Sequence, residues 1–178
     1  DSQSPKIVMN PELLDKIKRL IVIDHHRVGE ERFNAIFSFI EPYASSTIEL
    51  MMELLSFYNM GEEIKISPLE ATVMYGGLIV DTNNFSYRTG SRTFEVASKL
   101  KDLGADITVV KLWLRRDLMR TLEINKLLGQ VEIYLEKFAF VVTKEIYEDR
   151  ILLAQVAEAA LQINGIDAAF MIARMDKD

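Results

Sequence analysis

The order of apolar and polar positions divides the chain into short strands alternating with helices. Residues 11–20 have helical spacing, with Asn10 as a cap and Pro11 at the first helical position. Leu20-Ile21-Val22-Ile23 follows, short, apolar and β-branched, and predicts a buried parallel strand. It runs into Asp24-His25-His26, at the strand end where open α/β sheets present their ligands. Residues 35–40 predict a second strand. After a turn-rich stretch at 41–46, residues 47–58 place Ile48, Met51, Met52 and Leu55 on one helical face, closed by Asn59-Met60-Gly61. Ser67-Pro68-Leu69-Glu70 is a capping box with a proline inside it. The helix it opens passes Gly76-Gly77, a pair small enough to admit another backbone, and ends near Asp81-Thr82-Asn83-Asn84. Ser91 is the expected cap of a helix through Leu103, stopped by Gly104. Asp106 is the expected cap of a longer helix reaching Leu128. Farther on, 138–143 reads as a strand, 151–163 as a helix and 168–173 as a strand, so a boundary falls within 129–137. The fold class is therefore α/β: a parallel sheet with flanking helices over 1–129, then the start of a smaller α/β domain over 130–178. Trp113, Met51 and Met52 sit among aliphatics and are expected in the core, and Lys111, Arg115, Arg116 and Arg120 on a solvated helix face.

Bulk properties narrow the chemistry. The 178 residues are 49% hydrophobic and 27% charged, which suits a folded chain rather than a disordered one. A formal net charge of −6 repels duplex nucleic acid at long range, but it leaves room for a phosphate substrate wherever bound cations supply positive charge. Without cysteine there are no disulfides and no thiolate zinc sites, which fits a cytosolic setting. The most apolar stretch, 73–80, is too short to span a bilayer, so a soluble segment without membrane contact is expected.

Five places could carry chemistry. His25 and His26 are the only histidines, adjacent and preceded by Asp24. They are either a polar loop after a strand or a metal or catalytic pair. A strand end is a rigid platform, and imidazole with carboxylate suits Mn, Fe or Zn. Asp24 could orient an imidazole from behind. Asp81 is either a turn aspartate or a second ligand, and Asp1 is a third candidate that by itself reads as an ordinary frayed chain end. Tyr87-Arg88-Thr89-Gly90-Ser91-Arg92-Thr93 joins two arginines and hydroxyls to a helix start, either as a phosphate contact or as a capped loop with solvated arginines. Ser45-Ser46-Thr47 offers the same choice, with a plain helix cap as its simpler role.

Ile21-Val22-Ile23-Asp24-His25-His26-Arg27 resembles the signature of the DHH phosphoesterases. Three more segments follow in that family's order: Glu41-Pro42-Tyr43-Ala44-Ser45-Ser46-Thr47, Gly77-Leu78-Ile79-Val80-Asp81-Thr82, and Arg88-Thr89-Gly90-Ser91-Arg92-Thr93-Phe94, the last similar to the GdpP-type cyclic-di-AMP phosphodiesterases. The resemblance implies an incomplete DHH-type sheet, then the opening of a DHH-associated substrate-binding domain. It implies Asp1, His25 and Asp81 as metal ligands, with Asp1 twenty-four positions before His25. It implies His26 on the substrate phosphate with Asp24 supporting the histidines, and substrate contacts from Ser45, Ser46, Arg88, Gly90, Ser91 and Arg92. The implied cofactor is two Mn²⁺ ions, the implied substrate a cyclic dinucleotide cut to pApA. The implied setting is the cytoplasmic face of the membrane, through an anchor in a longer parent.

The family's first motif, His-x-x-x-Asp-x-Asp, and its late glycine-rich motif ending in histidine are both absent. The expectation is a middle section holding about half the ligands, with weak Mn²⁺ binding and little activity alone. Rival expectations are an oligoribonuclease of short RNA, a RecJ-like exonuclease, a manganese pyrophosphatase, or a nucleotide-sensing or self-associating domain. A homodimer stays open, since nothing in the sequence fixes the oligomeric state.

Overall fold

The computed structural model describes residues 2, 4–27, 29, 31–58 and 64–175. They form two compact units, Asp1–Leu114 and Arg115–Asp178. The sequence boundary at 129/130 lies later than this division. Helix α6 (Leu118–Leu128) belongs to the second unit because Ile124 and Leu127 enter that unit's core.

In the first unit, β1 (Ile21–Asp24) pairs in parallel with β2 (Phe37–Ile40), Asp24 lying opposite Ile40. Helix α1 covers only Glu12–Lys16, and Asn10 does not cap it; Pro11 stands at the cap with no side-chain bond. The shortfall from the expected 11–20 follows from burial: α1 buries no residue, and a short helix without a packed face is not sustained. Helix α2 (Thr47–Tyr58) has the bounds read from the sequence, while its expected stop at 59–61 lies outside the described residues. Helix α3 (Pro68–Asp81) starts at the expected capping box, with Ser67 accepting from the Glu70 N–H and Glu70 reaching back to Ser67.

Helix α4 (Ser91–Asp102) begins one residue past its cap, which is Gly90 rather than Ser91. Thr93 supplies the missing side chain by accepting the Gly90 N–H at 3.0 Å. Helix α5 (Ile107–Trp113), capped by Asp106, stops at Trp113, so the long helix expected to Leu128 is two. Asp117 restarts the chain as the cap of α6, accepting the Arg120 N–H. Trp113 therefore ends a seven-residue helix and is 53% exposed, not core.

Apolar faces of α2 to α5 make the first core, around Met52, Ala71, Tyr75, Leu78, Val96, Leu100 and Val110. Gly77 matters here: a Cβ added to it would lie 3.3 Å from Ile48 of α2, so glycine lets α2 and α3 approach. That approach sets the start of α2 beside the end of α3.

The second unit is a three-stranded sheet in the order β3-β4-β5, from β3 (Val131–Tyr134), β4 (Phe138–Tyr147) and β5 (Ala168–Met175). β3, unanticipated, pairs antiparallel with β4. Parallel β4 and β5 are joined by α7 (Arg150–Leu161). Val141, Leu152, Val156, Ile124 and Leu127 form its core. Arg120, expected on a solvated face, instead pairs with Asp149 and bonds Gln155. Among the described residues no helix is long and apolar enough to cross a membrane.

Candidate active site

Strand β1 delivers Asp24 and His25 into the first unit's interior, where Asp24 is fully buried and His25 is 6% exposed. Asp24 Oδ1 accepts the backbone N–H of His26 at 2.6 Å and contacts His26 Nδ1 at 2.7 Å, so the aspartate turns the next ring. Its other oxygen, Oδ2, is buried with no hydrogen-bond partner. His25 Nδ1 lies 3.3 Å from the Ala44 carbonyl. A carbonyl only accepts, so Nδ1 carries the proton and Nε2 presents a lone pair. Nε2 stands 3.8 Å from Asp81 Oδ2. Two ligands each about 2.1 Å from one ion can be up to roughly 4.2 Å apart, so this pair can share a divalent ion.

Asp81 sits at the last turn of α3, its side chain 22% exposed. Ser46 Oγ donates to Asp81 Oδ2 at 2.5 Å and accepts the Ile48 N–H at 3.1 Å, so one buried hydroxyl both starts α2 and holds the carboxylate. Past α3 the chain turns through Asn83, Asn84 and Phe85, all at positive φ. Among residues other than glycine, asparagine is one of those that tolerate this conformation best. The turn ends in the arginine loop, where Arg88, itself at φ +50°, lies 5.6 Å over the Tyr87 ring. Ser45 Oγ donates to the Arg88 carbonyl and lies 2.9 Å from Thr93 Oγ1.

Beside this framework lies a cleft of about 870 Å³, lined by Arg27, residues 41–45, Glu49 and residues 88–93. Ser45, Arg88, Gly90, Ser91 and Arg92 therefore share one cleft. Ala44 links it to His25, since its carbonyl is the imidazole's partner. Ser46, which holds Asp81, is not part of the lining.

Glu49 is not among the residues expected from the sequence. It is 2% exposed, accepts the Ser45 N–H at 3.2 Å and lies 4.0 Å from Arg92 Nε. Its signal in the sequence is the Ser-x-x-Glu spacing from Ser46. Arg92 is also paired with Glu53.

Asp1 lies outside the described residues, among which no cluster of three or more metal-binding side chains occurs. The donors present still fit a divalent cation. Nε2 of His25 faces a carboxylate, and Asp24 Oδ2 is a buried carboxylate oxygen that no donor among the described residues satisfies. Such an oxygen is costly unless a positive group approaches it.

Strand β1, paired in parallel with β2, thus ends in Asp-His-His with an aspartate brought beside it from the neighbouring helix α3. Residues 1–78 match the DHH family, N-terminal domain. The chain is 40% identical over 181 residues, 99% of its length, to the cyclic-di-AMP phosphodiesterase GdpP of Bacillus subtilis. It is 53% identical over 98% of its length to a membrane protein–large ribosomal subunit bL9 fusion protein of Onion yellows phytoplasma. The chain spans 27% and 20% of those two proteins. A bifunctional oligoribonuclease and PAP phosphatase, NrnA, of Mycoplasma genitalium is 33% identical over 65% of the chain and 36% of its own length. Among solved structures, an exopolyphosphatase-related protein from Bacteroides fragilis shares the fold, with a TM-score of 0.67 at 22% identity, over 83% of this chain and 45% of that one.

Proposed function

We propose that this chain forms part of the active site of a manganese-dependent phosphodiesterase that opens cyclic di-AMP to linear pApA. The observation that carries the reading is the pairing of His25 Nε2 with Asp81, the imidazole's tautomer being set by the Ala44 carbonyl. His25 and Asp81 would hold the metal, with Asp1 as a further ligand and Asp24 supporting the histidines. Bound divalent ions would supply Lewis acidity and lower the pKa of water.

The protein's own groups do the rest. Asp24 anchors His26 by Nδ1, keeping that ring at the site's mouth beside an incoming phosphate. Arg88 and Arg92 bring positive charge to the cleft, offsetting charge on the phosphate oxygens. Water then adds across one phosphodiester bond of the ring, giving one terminal phosphate and one free hydroxyl. We further read the second unit as the opening of the DHH-associated domain, and the setting as the cytoplasmic face of a membrane-anchored parent.

Cyclic di-AMP is preferred over short RNA because likeness to the GdpP-named relative runs over 99% of the chain, against 65% for the NrnA-named one. The test is turnover of cyclic di-AMP and of linear pApA by the intact protein with Mn²⁺. Cyclic di-AMP is expected to be the better substrate, and His25→Ala to abolish its hydrolysis. Full activity of His25→Ala would end the metal reading, and faster cleavage of the linear dinucleotide would move the assignment to an oligoribonuclease.

A further inference from the structure

Two adjacent serines hold the two halves of the site separately. Hydrogen-bond polarity at Ser45 is forced. The Arg88 carbonyl only accepts, so the Ser45 hydroxyl proton points there. With that proton engaged, the 2.9 Å contact with Thr93 requires Thr93 Oγ1 to donate to Ser45. Thr93 Oγ1 in turn accepts the Gly90 N–H. One directed chain therefore runs from Gly90 N–H through Thr93 and Ser45 to the Arg88 carbonyl, closing the arginine loop on itself. Ser45 is 5% exposed and Thr93 fully buried, and neither hydroxyl retains a proton for a substrate. Ser46, fully buried, directs its own proton to Asp81.

We infer that Ser45 and Ser46 are positioning residues with divided roles: Ser46 fixes the Asp81 carboxylate toward the metal, and Ser45 fixes the Arg88 loop toward the anionic substrate. The inference rests on the metal reading of His25 and Asp81, but it removes both serines from direct substrate contact. It also explains why the two halves are registered to each other: their supports are consecutive residues at the start of α2.

The test uses the intact protein, with Mn²⁺ affinity from the EPR signal of free Mn²⁺ and steady-state constants for cyclic di-AMP at saturating Mn²⁺. Ser46→Ala is expected to weaken Mn²⁺ binding about 10–100-fold, the range typical for loss of a group behind a metal ligand. In an Asp81→Ala background the same substitution should add nothing, since the carboxylate it orients is gone. Ser45→Ala should leave the Mn²⁺ dissociation constant within about twofold of wild type and raise KM about tenfold, more than it lowers kcat. Metal-free melting temperatures of both should stay within about 4 °C of wild type, separating positioning from folding. Asp81-dependent Mn²⁺ binding that Ser46→Ala leaves intact would overturn the inference alone. So would the two serine variants moving the same constant equally. Mn²⁺ binding indifferent to Asp81→Ala would overturn the metal reading and the inference with it.

Discussion

At the scale of single residues, the imidazole of His25 is set by its surroundings for the role proposed. One carbonyl, that of Ala44, selects the tautomer, and burial to 6% keeps the ring from turning out. Arg92 shows the converse, a charged group whose value is not in stability. Its guanidinium is 43% exposed and its partner Glu53 37%, and exposed ion pairs contribute about 0.2–1 kcal/mol. Arg92→Ala is therefore expected to change folding stability by less than about 1 kcal/mol in urea unfolding, while raising KM for cyclic di-AMP. A loss of several kcal/mol would mean that Arg92 supports the fold through the buried Glu49. The residue types Asp24, His25, His26, Asp81 and the two arginines are all legible in the sequence as chemistry-bearing. The work of Ser45 and Ser46 is not, because a serine before a helix looks the same whether its proton meets solvent or a distant carboxylate.

Among the elements, legibility follows how local the determinant is. The capping box of Ser67 and Glu70 is written within four residues, and α3 starts there. Ser67→Ala is expected to cost about 1 kcal/mol by thermal unfolding, the usual penalty for losing such a cap. The break between α5 and α6 is less visible, since helical spacing continues across it and only Asp117 marks the restart. Asp149 caps α7 by accepting from Ile151 and Leu152. Arg120 beside it, together with those amides, holds its carboxyl below the ordinary 3.8. A carboxyl lowered by folding adds stability that is present above the unfolded value and lost as pH falls through the lower folded one. The second unit should therefore lose α7 capping only below pH 3.8, and Asp149→Asn should shrink the drop in melting temperature between pH 5 and pH 3. An undiminished drop in that variant would place the acid sensitivity elsewhere, with Glu145 the next carboxylate, lowered by Lys126 and Tyr147.

At the scale of the whole molecule, the described residues form two hydrophobic clusters, each confined to one unit. Leu100 is fully buried in the first, and Leu100→Ala is expected to cost about 2–5 kcal/mol, read as faster amide hydrogen exchange across α2 to α5. Comparable loss of protection in β3 to β5 would show that the two cores unfold as one. By itself the amino-acid sequence determined the class of fold, the starts of α2 and α3, and the residue types on which the proposed metal site rests, because periodicity, caps and ligand chemistry are properties of neighbours along the chain. Only the tertiary structure decided that His25 and Asp81, fifty-six positions apart, stand 3.8 Å from each other, and that two neighbouring serines point to different partners. Those facts depend on how closely α2 packs on α3 at Gly77 and on which way a hydroxyl turns. Both are settled by packing between distant segments, which the order of residues alone does not display.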